Sequence, residues 1–132
     1  QGVSSAASDV YKRQIEDLVG IYVRSLRDHL TPESHYLAFL SRYITERGGY
    51  RGFEGAVSDT AMVQMRPMIG ELLPYLSEGL CQERWTLVMT STVHALARYQ
   101  VLQQSGELPA PIDQLIEDLI VVESAGLSAP SR

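Results

Sequence analysis

Cysteine, lysine and long apolar runs are what this chain has least of. Cys81 is the only cysteine among 132 residues, so no intrachain disulfide can staple the fold, which fits a reducing, cytoplasmic setting. It has no basic neighbour in sequence to activate it and reads as a linker residue rather than a nucleophile. Lys12 is the only lysine, and 11 basic against 16 acidic residues leave a formal net charge of −5. A chain without clustered cations is poorly suited to holding phosphates, which argues against nucleic-acid binding by this chain alone. No apolar run approaches the roughly 20 residues of a membrane span, and no charged-then-apolar leader is present.

Strand patterning is missing as well, since no stretch alternates apolar and polar residues over several positions. His29, His35 and His94 lie far apart, with no HExxH or other closely spaced ligand set. No nucleophile can be paired with a base and an orienting group. These absences leave a soluble, all-α domain with no catalytic, metal or cofactor residues to assign.

What is present is helical periodicity. With 45% hydrophobic residues the chain can bury one core, and the stripes divide it into a bundle of about five to six helices. Ile15, Leu18, Val19, Tyr22, Val23, Leu26 and Leu30 mark the first face. Thr31 as cap, Pro32 at the first helical position and Glu33 behind it predict the start of a second helix. It carries Tyr36, Leu37, Leu40, Tyr43 and Ile44 and stops at Gly48-Gly49. Arg47 to Gly55 reads as a glycine-rich connector, without the lysine or spacing of a phosphate loop. Ser58 or Asp59 would cap a third helix with Met62, Met65, Ile69, Leu72, Leu73 and Leu76 on its stripe, kinked or divided at Pro67. The cluster Met62, Met65 and Met68 reads first as gap-filling core, though adaptable thioethers also suit a pocket that admits varied apolar ligands.

A short link through Gly79 and Cys81 leads to the most informative stretch, Glu83 to Gln104. Trp85, Val88, Met89, Thr92, Leu96 and Tyr99 recur at helical spacing, with Leu87, Val93, Ala95 and Ala97 widening the stripe. Such a helix is roughly 33 Å long, too long and too apolar for one neighbour to cover. Trp85 suits a core anchor or a ligand-stacking surface. Thr90, Ser91 and Thr92 interrupt the apolar run, and His94 at mid-helix needs a partner, a polar pocket or a subunit interface. The helix ends near Ser105-Gly106. Pro111 opens a final one bearing Ile112, Leu115, Ile116, Leu119 and Ile120, closed by Ala125, Gly126 and Ala129-Pro130.

The first fourteen residues do not share this periodicity. Ser4 to Gln14, SSAASDVYKRQ, resembles the translation of an adapter used in transposase-based sequencing libraries. Residues 1–14 are therefore expected to be disordered and non-native, with a domain over 15–132 and a gene truncated on its 5′ side.

The run Leu72 to Gln104 with Pro111 to Pro130 resembles the C-terminal part of a tetracycline-repressor (TetR) type bacterial transcriptional regulator. The features that carry the resemblance are Leu73-Pro74 before the long helix, Arg84-Trp85 at its opening and the Ala129-Pro130 tail. The resemblance implies a small-molecule effector among the helices and a homodimer whose last two long helices form a four-helix bundle with the partner. DNA would be bound only by an N-terminal helix-turn-helix domain that is missing here. By family position the effector pocket would involve Tyr36, Leu40, Met62, Met65, Ile69, Trp85, Met89 and Thr92. The dimer face would involve Ser91, His94, Arg98, Val101, Leu115, Leu119 and Val122. The rival from another class is a free-standing helical interaction module whose apolar groove takes a partner helix.

Overall fold

Tyr22 and Trp85, 63 positions apart in sequence, meet edge-on at the centre of the fold, their ring centroids 5.6 Å apart. A computed structural model describes the backbone of residues 2–49 and 61–132 and the side chains of 9–49 and 64–132. Helix α1 spans Gly2–Ser25, followed by a 3-10 turn at Arg27–His29; then come α2 Tyr36–Arg47, α3 Ala61–Leu72, α4 Glu78–Ser105 and α5 Ile112–Leu127. The described residues form no strand, and no helix among them is long and apolar enough to cross a membrane. The all-α bundle of about five helices is as the stripes predict.

Helix α4 lies among α2, α3 and α5, while α1 closes the other side against α3 and α5. This arrangement gives the long helix the several neighbours its apolar circumference demands. Its inner face, Cys81, Trp85, Val88, Met89, Thr92, Val93, Leu96 and Gln100, is buried. Against it pack Val19, Tyr22 and Val23 of α1, Leu37, Leu40 and Ile44 of α2, Met65 and Ile69 of α3, and Ile116 and Ile120 of α5. The Tyr22 hydroxyl, which would cost free energy if buried alone, donates to the Met89 carbonyl at 3.0 Å.

Several boundaries differ from the sequence expectations for identifiable reasons. Helix α1 continues through the adapter-like segment from Gly2, and the side chains of Asp9 to Gln14 are exposed. The second helix starts at Tyr36 instead of Pro32, because residues 31–34 form a turn, Ser34 N–H to Thr31 carbonyl, 3.2 Å. The buried Gln100 amide donates to the carbonyls of Thr31 (2.6 Å) and Ser34 (2.9 Å) and locks that turn. Helix α3 runs through Pro67 as one element, while the expected caps Ser58 and Asp59 lie outside the described residues. Helix α4 begins five residues before Glu83, since Ser77 accepts a capping bond from the Leu80 N–H and Glu78 favours the positive helix start. Gly79 and Cys81 are therefore helical, and Cys81 is a core residue.

Glycine supplies the stops. Gly48 (φ 68°) ends α2 and Gly106 (φ 72°) ends α4, both in the left-handed region. At the second, the Glu107 N–H returns to the Leu102 carbonyl at 2.8 Å and that of Gly106 to Gln103, a Schellman closure. Pro111 caps α5 from outside the helix, and α5 runs on through Ala125 and Gly126 to Leu127.

Candidate functional site: the outer face of the long helix and its neighbour

Two regions follow from the sequence reading, an interior one and an exterior one. Of the interior set, Leu40, Met65, Ile69, Trp85, Met89 and Thr92 are all buried. Trp85 packs beneath Tyr22. Tyr36 is not with them: it is partly exposed and stacks on His29, ring centroids 4.2 Å apart. The side chain of Met62 lies outside the described residues. Thr92 is turned toward α5, its hydroxyl 3.4 Å from a carboxylate oxygen of Glu123. Two open clefts lie elsewhere and are lined by none of these residues. One of about 980 Å³ lies along Lys12, Glu16, Tyr75, Val121, Ser124 and the tail residues Ser128 to Ser131. A smaller one of about 310 Å³ lies between α1 and α3 beside Met68 and Leu72.

The exterior set falls on the side of α4 turned away from the core. Ser91, His94, Arg98 and Val101 are exposed, Val101 by 64%. Val122 of α5 is 59% exposed, Leu115 is half-buried, and Leu119 is buried within the protomer's own core. The His94 ring is engaged by its own chain, Nδ1 lying 2.6 Å from Ser41 Oγ of α2. Leu87, assigned by its sequence position to the core stripe, is 56% exposed on this outer side. It stands four residues before Ser91 and fourteen before Val101, so helical spacing alone could have placed it here.

The seam between the two helices carries a carboxylate that the sequence reading missed. Glu123 of α5 accepts a bond from Ser91 Oγ at 2.6 Å and reaches toward Thr92. Burial pushes its carboxyl above the ordinary value, and the two hydroxyls only partly oppose this. No spacing rule singles out Glu123 among the acidic residues of α5, because its burial comes from α4.

The remaining polar contacts brace α5 at its end and on its other flank. Arg84, in the second turn of α4, donates to the carbonyls of Leu127 (3.0 Å), Ala129 and Pro130 and so clasps the end of α5. Three carbonyls converge on one guanidinium at the negative helix end, a favourable pairing of charge and dipole. Tyr75 donates to the Ser128 carbonyl at 2.7 Å. Arg24 pairs with Glu117 and Arg27 with Asp113, tying α1 and the 3-10 turn to the opposite flank of α5. No group of three or more possible metal ligands occurs among the described residues.

What the arrangement offers is a two-helix platform joined by side-chain hydrogen bonds. Leu87 and Val101 stand out on it at either end of the polar run Ser91, His94 and Arg98, and Val122 stands out beside them on α5. Searched against family models, curated proteins and solved structures, the chain gives no match in any of the three.

Proposed function

We propose that this chain is the C-terminal regulatory domain of a TetR-type transcriptional regulator, a cytoplasmic protein that dimerises through α4 and α5 and binds a small, partly apolar effector. One observation carries this reading above the others. Leu87, Val101 and Val122, each more than half exposed, share the outer face of the two helices by which that family pairs. Apolar side chains of this size, gathered on one face and flanking Ser91 and Arg98, are what a self-complementary helix interface uses. The clasp of Arg84 on the α5 terminus also supports it, because it gives a physical role to two of the motifs behind the resemblance.

Effector binding in this reading repacks the interior beside α4, where the unbranched thioethers of Met65 and Met89 can adapt to a guest. The change is passed to a helix-turn-helix domain outside this chain through α1. DNA is contacted only by that domain, which agrees with the acidic charge of this one.

Sedimentation of the full chain at micromolar concentration tests the dimer. Association through α4 and α5 is expected; a folded species that stays strictly monomeric would sink the regulator reading and leave a free-standing helical interaction module.

A further inference from the structure

We propose that the α4–α5 seam makes self-association proton-linked: Glu123 takes up a proton when a second copy of this chain covers the face carrying Leu87, Ser91 and Val122. This rests on the dimer reading above and deepens it.

One hydroxyl proton at the seam faces two acceptors. Ser91 Oγ lies 2.5 Å from the Leu87 carbonyl and 2.6 Å from Glu123 Oε1. A serine hydroxyl has one proton and can donate to only one of these acceptors at a time. If Glu123 is ionised, Ser91 gives its proton to the carboxylate, beside a longer bond from Thr92 Oγ1 at 3.4 Å, and the Leu87 carbonyl falls back on its backbone partner within α4. If Glu123 is protonated, its own O–H donates to Ser91 Oγ while Ser91 donates to Leu87. The neutral acid therefore adds one bond to the seam, since Ser91 keeps Leu87 and still accepts a bond from Glu123.

The charged groups on the surrounding elements offer Glu123 no counter-ion. On α4, Arg84 is committed to the carbonyls at the end of α5. His94 is engaged by Ser41, and Arg98 stands about two turns beyond Ser91. On α1, Arg24 pairs with Glu117, Lys12 lines the cleft beside Val121 and Ser124, which Glu123 does not line, and Glu16 has the wrong sign; Arg27 of the 3-10 turn pairs with Asp113. On α5 itself the neighbouring charges, Glu117 and Asp118, are acidic. Among the described residues no ion pair reaches Glu123.

In the separate protomer water reaches the half-buried carboxylate and sustains its charge. A second copy laid over the face removes that water, and twofold symmetry brings two Glu123 side chains into one interface. An unpaired buried carboxylate responds by binding a proton. The burial within the protomer that already pushes Glu123 upward acts in the same direction.

The test is sedimentation of the full chain between pH 5 and 8, wild type against Glu123→Gln, with circular dichroism to confirm that both are folded. The wild-type dissociation constant is expected to fall on acidification by about tenfold per pH unit for each proton bound. Glu123→Gln, a permanent mimic of the neutral acid, should remain tight with a flatter profile. Any contribution from His94 is common to both proteins and cancels in the comparison. Carboxyl-carbon NMR titration of wild type provides a readout without substitution, the Glu123 midpoint moving upward from dilute to concentrated protein. Equal slopes for the two proteins would overturn the proton linkage and leave the dimer standing. Weaker association of Glu123→Gln would also overturn it, by placing a partner cation opposite the carboxylate. A folded monomer at every pH would remove both the linkage and the dimer.

Discussion

The hydroxyl of Tyr22 donates to the backbone carbonyl of Met89 across 3.0 Å, and the same ring meets Trp85 edge-on. One side chain from α1 thus satisfies its polar end and its apolar body on two successive turns of α4. Tyr22→Phe keeps the ring contact and removes the bond, and should cost about 1 kcal/mol in denaturant unfolding. Trp85→Ala opens a cavity beneath it and should cost about 3–5 kcal/mol. Equal losses from the two substitutions would contradict this division of roles.

Gln100 is the buried amide that fixes where α2 begins. Replacing it with Leu keeps the volume roughly constant but takes the Gln100 donor from the Ser34 carbonyl and leaves Thr31 only the Ser34 N–H, at a cost of about 1–3 kcal/mol. Hydrogen exchange should quicken selectively across residues 31–36. Uniform quickening over the whole chain would mean that Gln100 supports the core in general and not this turn.

Arg84 holds the carbonyl end of α5. Arg84→Met retains most of the apolar stem and deletes the clasp, so about 1–2 kcal/mol should be lost, with fraying confined to the segment after Ser124. Tyr75→Phe removes the neighbouring bond to Ser128 and should add to the fraying. Protease nicking of the tail reads out both.

The exposed stripe can be tested apart from the fold. Val101→Glu and Leu87→Glu alter side chains that are 64% and 56% exposed, so unfolding free energy should move by less than about 0.5 kcal/mol. Association measured by sedimentation should nevertheless weaken by tenfold or more, since each introduces a charge into a desolvated face. An unchanged dissociation constant in both variants would place the interface elsewhere.

Glu123 also gives the protomer a pH signature of its own. Its folded value lies above the ordinary 4.5, so between the two values the folded state binds more protons than the unfolded one. Stability from this group is therefore full below about 4.5 and falls as pH rises through the raised folded value. At dilute, monomeric concentrations Glu123→Gln should lose that decline, and chemical unfolding from pH 4 to 8 would show it. A parallel decline in both proteins would assign it to other groups.

Much of this architecture can be read in the sequence because it depends on local rules. The stops at Gly48 and Gly106 need a left-handed backbone that glycine adopts without strain, so they are visible as letters. The buried faces of α1, α4 and α5 follow from 3.6-residue periodicity. Where the local signal was strong but misleading, a distant residue overrode it: Thr31-Pro32-Glu33 has the chemistry of a helix start, yet Gln100, 69 positions from Thr31, claims its carbonyl for a turn. The reverse holds at Ser77, whose capping role brings Gly79 and Cys81 inside α4 although neither shows helical chemistry.

The candidate surfaces divide along the same line. Sequence by itself determined that this chain is helical and acidic, and that one long helix carries more apolar surface than a single neighbour could hide. Only the tertiary structure decided how that surface is shared. It buried Leu119 in the protomer core, gave His94 to Ser41 and turned Thr92 toward α5. Leu87 stayed outside, and Glu123 closed against Ser91. The physical reason is that periodicity fixes which side chains lie on the same face of a helix, whereas exposure and hydrogen-bond partners depend on which other helices occupy each side.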